Sequence, residues 1–308
     1  MNNLVSIIMN CKNGQAYLRE SIDSVINQTY KNWELIFVDN ASTDKSKDIF
    51  NEYKDKRMKY IYIKEPLNLG AARQVALENC SGEYISFLDT DDLWFKKKIE
   101  EQIYYFKDLD VGMVISNTIF FSKDKKQIFY SNDPPTGYVF NDLLNKYFIS
   151  LETLICKKKY IDQISYKFDN EYSMISDMDL TLRLSHICKL AYCPLELSKW
   201  RVHDASDTWK KKGLFFKEQL NLIEKLGFIK ENIDNNNFMK IKKIFIKQVN
   251  FSIILNLIES GFKREKIINQ MIQKKLAIGK FCILFGLLIL PYNMSIIKFY
   301  RNNFSIHP

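Results

Sequence analysis

Short apolar runs alternate with amphipathic stretches along the N-terminal part of the chain. Residues 4–9 (LVSIIM) form a continuous apolar run of strand length, followed by Asn-Cys-Lys-Asn-Gly, whose Asn and Gly suit a turn. Over residues 17–30 the apolar positions Leu18, Ile22, Val25 and Ile26 recur at helical spacing and form one face of an amphipathic helix. A second strand at 34–38 ends at Asp39, and the polar loop at 40–44 offers capping residues for a helix over 47–53. A strand at 59–63, a helix at 71–79 and a strand at 84–88 repeat the alternation. The pattern predicts an α/β fold with a largely parallel sheet flanked by helices. Ligands of such sheets bind beyond the carboxyl ends of the strands, where this chain carries Asn10 and Lys12, then Asp39, then Asp89 and Asp91.

Further along, a helix is predicted near 96–106 and β-structure over 111–135, with short mixed elements to about Trp209. From Lys210 the pattern is helical, at 214–226, 238–260 and 263–280. The chain therefore divides at about residues 105 and 209, into 1–105, 106–209 and 210–308.

Composition narrows the class. With 46% apolar residues in 308, the chain can bury a proper core, and 26% charged residues with only 10 Gly and 6 Pro exclude a disordered or fibrous protein. Six cysteines without a C-x-x-C pair, beside three histidines, argue against a zinc ribbon or a disulfide scaffold, so the chain reads as reduced and intracellular. The N-terminus lacks a basic n-region and reads as a first strand, not a signal peptide.

Charge is divided unevenly: residues 210–308 hold 18 Lys/Arg against 6 Asp/Glu, leaving 27 against 30 before them, so the tail carries +12 and the rest −3. The uncharged run at 281–297 is 17 residues long and contains Pro291 and Asn293, short for a membrane span. Beside Lys-rich amphipathic helices it suggests peripheral contact with an anionic leaflet, the alternatives being a buried helical hairpin or a dimer contact. No nucleic-acid-binding motif accompanies the basic residues, so nucleic acid is not an expected partner.

The strongest local signal for chemistry is Asp89-Thr90-Asp91-Asp92, directly after the apolar strand YISFL. Carboxylates crowded at a strand mouth suit Mg²⁺ or Mn²⁺, and such an ion can also hold a diphosphate. Helix capping before Leu93 is the simpler alternative, with Asp92 as the cap.

VSIIMNCKNGQAYLRESIDSVINQTYKNWELIFVDNASTDKS and LNLGAARQVALENCSGEYISFLDTDDLW, in that order, resemble the nucleotide-sugar half of glycosyltransferase family 2. The resemblance covers about a third of the chain. It implies a GT-A fold with a helical C-terminal extension, and inverting transfer of a sugar from a nucleotide diphosphate. By position it implies that Asn10, Lys12 and Asp39 contact a uridine-like nucleoside, that Asn68 and Arg73 support nucleotide or phosphate, and that Asp89 meets the ribose while Asp91 meets the metal. Lys12 stands where the family usually has an aromatic residue, and Asn10 where proline is common.

Downstream, FDNEYSMISDMDLTLRLS resembles the family's acidic motif, with Asp177 in the place of the catalytic base and Ser176 replacing the usual Glu. Such a base removes the acceptor's proton as its oxygen attacks the anomeric carbon. Lys199-Trp200-Arg201-Val202-His203 resembles the later segment whose histidine reaches the metal or diphosphate. On local grounds Arg73 also suits a salt bridge, Asp177 a helix N-cap and His203 a structural role.

The resemblance thus implies a metal-dependent hexosyl- or N-acetylhexosaminyl-transferase using a UDP-sugar and Mn²⁺ or Mg²⁺. Its expected acceptor is a glycan or lipid-linked glycan of bacterial surface polysaccharide, at the inner face of the cytoplasmic membrane. Residues 1–105 would bind the donor and 106–209 the acceptor. The rival readings are transfer onto a polyprenyl phosphate and a non-catalytic nucleotide-sugar-binding scaffold. An NAD-linked oxidoreductase is disfavoured because no G-x-G-x-x-G follows a predicted strand.

Overall fold

In the computed structural model, which describes residues 3–123, 125–203, 210–226, 235–259 and 264–274, the N-terminal apolar runs become four parallel strands. These are β1 (Val5–Cys11), β2 (Trp33–Asn40), β3 (Met58–Ile63) and β4 (Tyr84–Phe87). The crossovers between them are helices α1 (Leu18–Ile26), α2 (Ser46–Asn51) and α3 (Leu69–Glu78), which bury β1, β2 and β4 and leave the edge strand β3 half covered. Leu18, Ile22 and Val25 of α1 are buried in one core with Val5, Ile7 and Met9 of β1, as the helical spacing requires.

The sheet continues through β5 (Leu93–Trp94), β6 (Val111–Phe121), β8 (Ile155–Lys157) and β9 (Lys189–Arg201), in the order β3-β2-β1-β4-β8-β6-β9-β5, with β7 (Lys126–Ile128) paired on β6. Short helices α4 (Lys98–Ile103), α5 (Phe140–Asn145) and α6 (Lys158–Ile161) intervene, and α7 (Ser176–Ile187) precedes β9. The boundary expected near residue 105 is thus not a break in the sheet, since β4 pairs with β8 across it.

One feature of 106–209 departs from the expected short mixed elements, the 13-residue β9, whereas the 12-residue α7 begins where the acidic motif of Asp177 implies a helix. In β9 the register on β6 slips between Cys193 and Glu196, where Pro194 has no N–H to give the ladder. That interruption hides the strand from a period-two reading. Asp92 is not a helix cap either, because Leu93 and Trp94 form β5 and the next helix, α4, starts at Lys98.

The chain divides into two compact units, Met1–Phe140 with Phe148–Ser206, and Asn141–Tyr147 with Asp207–Pro308. The first holds the sheet. In the second, α8 (Lys212–Leu226), α9 (Asn235–Glu259) and α10 (Arg264–Gln273) match the expected helical pattern, with Leu222, Ile223, Phe245 and Val249 buried. Among the described residues no helix is long and apolar enough to cross a membrane, and the 281–297 run and the boundary near Trp209 lie outside them. The five described cysteines are buried, unpaired thiols.

Close approach requires glycine at position 70. A Cβ on Gly70 would lie 2.2 Å from the Asp169 carbonyl oxygen and 2.7 Å from that of Tyr172, and the Gly70 N–H donates to the Tyr172 carbonyl at 2.9 Å. Gly70→Ala is therefore expected to push the loop before α7 off α3 and to cost about 1–3 kcal/mol or more. Equilibrium urea denaturation of the two proteins checks this, and equal midpoints would refute the close packing.

Candidate active site

The loops after β1 and β2 are built as one piece. Asn13 and Ala41 both take left-handed backbone, with φ of 58° and 56°, a conformation that costs a residue with a Cβ about 1–2 kcal/mol unless the surroundings hold it. Here they do hold it. Asn13 N–H donates to Ser42 Oγ at 2.9 Å, Thr43 N–H to Asn13 Oδ1 at 2.8 Å, Gly14 N–H to Ser46 Oγ at 2.9 Å and Gln15 N–H to Asp44 Oδ2 at 2.9 Å. Burial pushes the Asp44 carboxyl up, but the hydrogen bonds from Ser46 and Gln15 outweigh it and hold Asp44 below its ordinary range.

The first predicted cluster lies where β1 and β2 run into these braced loops. Asp39 is 1% exposed and accepts from the Ser42 N–H at 2.9 Å and the Tyr60 hydroxyl at 2.5 Å. Lys12 is exposed. Asn10 has both amide atoms enclosed without a hydrogen-bond partner among the described residues, a costly arrangement for a group that can form several such bonds.

The second cluster forms where β4 ends. Asp91 Oδ2 lies 2.9 Å from His203 Nε2, so the two predicted metal ligands meet directly. The other ring nitrogen, Nδ1, is enclosed without a partner among the described residues. Buried Arg73 reaches from α3 to three groups: its Nη1 donates to Ser176 Oγ at 2.6 Å and lies 3.9 Å from Asp177 Oδ1, and its Nη2 lies 3.7 Å from Asp89 Oδ1. Arg73 thus ties the mouth of β4 to the first turn of α7. Desolvation, with Asp91 and Asp177 nearby, pushes the Asp89 carboxyl up to about 6 against the pull of Arg73.

Asn68, expected beside the nucleotide, also has a structural role. It is the N-cap of α3, accepting from the Ala71 N–H at 2.9 Å and donating to the Asn170 carbonyl, so its amide braces the loop before α7. Asp92 accepts from the Arg201 N–H at 2.8 Å and is 2% exposed. Burial raises its carboxyl well above the ordinary range, as does the nearby buried Glu152.

Two site residues were not foreseen, Arg201 and Tyr17. The Arg201 guanidinium donates through Nε to the Asp91 carbonyl at 2.8 Å and through Nη2 to Glu20 at 2.9 Å, with Tyr17 and Phe121 rings beneath it at 4.3 and 4.7 Å. Tyr17 also packs on His203, with ring centroids 5.1 Å apart. The signal was present in Lys-Trp-Arg-Val-His: in an extended segment Arg201 and His203 share one face.

The residues fall into three contacts: Asp91 with His203, Arg73 with Asp89, and Arg73 with Asp177. Asn10, Lys12 and Asp39 make up a separate group on the neighbouring strand ends. Among the described residues no group of three or more His, Cys, Asp or Glu is placed to hold a metal. The Asp91 carboxylate fits a cation that fills its remaining positions with phosphate oxygens and water, as Mg²⁺ sites do, and the His203 imidazole beside it offers a nitrogen ligand.

Residues 6–165 match the family model described as Glycosyl transferase family 2, just over half of the chain. The chain belongs to glycosyltransferase family 2. Among its family relatives, the Escherichia coli UDP-Glc:alpha-D-GlcNAc-diphosphoundecaprenol beta-1,3-glucosyltransferase WfaP is 34% identical over 231 residues, covering 73% of this chain and 87% of WfaP. Bacillus subtilis TuaG, a glycosyltransferase named for teichuronic acid biosynthesis, is 27% identical over 252 residues, covering 79% of this chain and 94% of TuaG. The crystal structure of S. aureus TarS in complex with UDP-GlcNAc superposes with a TM-score of 0.71 at 17% identity, over 88% of this chain and 79% of that one. The glycosyltransferase therefore has the GT-A fold that the family resemblance implies, built on the α/β sheet that its strand pattern predicts.

Proposed function

We propose that this glycosyltransferase moves a hexosyl or N-acetylhexosaminyl group from a UDP-sugar to a hydroxyl of a lipid-linked glycan, with inversion, in bacterial surface polysaccharide synthesis. The observation that carries the reading is buried Arg73, which holds Asp177 of α7 within reach of the carboxylates at the mouth of β4. The lipid-linked acceptor is supported by the name of WfaP and the polysaccharide setting by that of TuaG. We assign residues 1–105 to the donor, 106–209 to the acceptor, and the work of the enzyme to the inner face of the cytoplasmic membrane.

In this mechanism Asn10, Lys12 and Asp39 bind the nucleoside, with the orphaned Asn10 amide gaining partners from the base. Asp89 meets the ribose, and Arg73, already committed to Ser176, sets the spacing of Asp89 and Asp177. Asp177 takes the proton from the acceptor hydroxyl as that oxygen bonds to the anomeric carbon. The bond from that carbon to the diphosphate breaks, and UDP leaves with its electron pair. Asp91 and His203 would hold Mn²⁺ or Mg²⁺, which when bound offsets charge on the departing diphosphate.

Thermal unfolding with UDP, GDP and CMP, each with and without Mn²⁺, tests the donor side, because a ligand of the folded state raises the melting point. Stabilisation is expected from UDP only with Mn²⁺, and is expected to vanish in Asp91→Ala. Stabilisation by GDP or CMP in preference to UDP would overturn the donor class. An equal UDP effect without metal would overturn the metal site.

A further inference from the structure

We propose that the exposed face of the first half of α9 seats the protein on an anionic lipid leaflet. Met239, Lys240, Lys243, Ile244 and Lys247 are all exposed, Met239 by 49% and Ile244 by 38%. At 3.6 residues per turn the five positions fall within an arc of about 140° and extend about 12 Å along the axis. Two apolar side chains lie among three ammonium groups, a combination that partitions into the headgroup boundary of an anionic membrane.

The rest of the helix explains why this stripe is confined to one place. Phe238, Phe245 and Val249, on the opposite side of the same turns, are buried, and so are Phe251, Ile254, Leu255 and Ile258 farther on. Glu259, the last residue of α9, is the only carboxylate in its sequence, so no charge of α9 neutralises the stripe from within. Lys242 lies outside the arc and is paired with Glu224 of α8 at 2.6 Å. Lys240, Lys243 and Lys247 have no ion-pair partner among the described residues. Charge complementarity therefore selects an acidic lipid surface over a second copy, whose identical lysines would face these across a symmetric contact.

Flotation of the full chain with vesicles of phosphatidylcholine, with and without phosphatidylglycerol, tests the proposal. Binding is expected only with the anionic lipid and is expected to weaken as salt rises. Reversing the stripe with K240E, K243E and K247E together should weaken it by about 100-fold or more. M239S with I244S should weaken it without altering its salt dependence. Reversing three exposed lysines elsewhere, K123E, K125E and K126E, makes the same change in net charge and should leave most binding intact. Circular dichroism and UDP-induced stabilisation should be unchanged in all three. If the reversal unfolds α9, neutralising the same positions with K240Q, K243Q and K247Q gives the test. Failure of the parent to float with phosphatidylglycerol, or equal loss in both triple reversals, would overturn the proposal. So would a parent dimer that the stripe reversal dissociates.

Discussion

Replacing Asp177 by asparagine is expected to lower kcat toward a hydroxyl acceptor by about 10²–10⁴-fold while leaving UDP-dependent stabilisation in place. The amide has the shape of the carboxylate but cannot take a proton, so the change acts on the step in which the acceptor oxygen is deprotonated. The scaffold around it should persist. Arg73 keeps its 2.6 Å hydrogen bond to Ser176 and its contact with Asp89, and the fully buried Asp179 anchors the same turn of α7. Steady-state rates with a lipid-linked glycan, set beside melting points with UDP and Mn²⁺, separate the possible results. Turnover close to the parent's would remove Asp177 as the base and favour a phosphate acceptor, which needs none. A simultaneous loss of UDP stabilisation would show that Asp177 acts by holding the fold of the site.

Arg183→Leu should produce the largest loss of stability, about 3–5 kcal/mol, because it leaves an uncompensated carboxylate in the core. The Asp179 side chain is 0% exposed and that of Arg183 3%, and they meet at 2.6 Å one turn apart on α7. Arg183 also donates to the Tyr166 and Lys167 carbonyls, so its removal orphans backbone acceptors of the preceding loop as well. The loss should depend on pH. Burial already raises the Asp179 carboxyl above its ordinary range, with Arg183 pulling it down, so deleting Arg183 raises it further. A raised folded-state value favours the protonated form, and stability then falls as pH rises from the unfolded value through the folded one. The gap between variant and parent in urea denaturation should accordingly be widest at neutral pH and narrower near pH 5. A loss below 1 kcal/mol at neutral pH would rule out a structural ion pair here.

Both experiments concern α7, an element that the residue pattern placed poorly. Its sequence alternates polar and apolar residues too closely for a helical stripe to stand out, because nine of its twelve positions are buried and the helix has hardly any solvent face. By contrast, α1 sits on the surface of the sheet and shows its spacing plainly. β9 was obscured by Pro194, and Asp92 looked like a helix cap because its partner is a backbone N–H of residue 201. The bracing by Asn68 is hidden for a related reason, since its cap on α3 and its bond to the loop at residue 170 belong to two separate parts of the chain.

Alternating apolar runs and helical spacing sufficed for the α/β class, the parallel strands and the delivery of Asn10, Asp39 and Asp89 to the strand mouths. These follow from burial and from the side-chain period of each element, which are properties of neighbouring residues. The pairing of Asp91 with His203 spans 112 positions and that of Arg73 with Ser176 spans 103; the residue pattern marks neither pair, and only the family resemblance brings Asp91 and His203 to one metal. Only the folded sheet brings them within hydrogen-bonding distance, because β9 returns beside β5 and α7 docks where Gly70 lets the chain come close. Chain folding, by closing these long loops, determines which of the acidic residues become a site and which become structural partners.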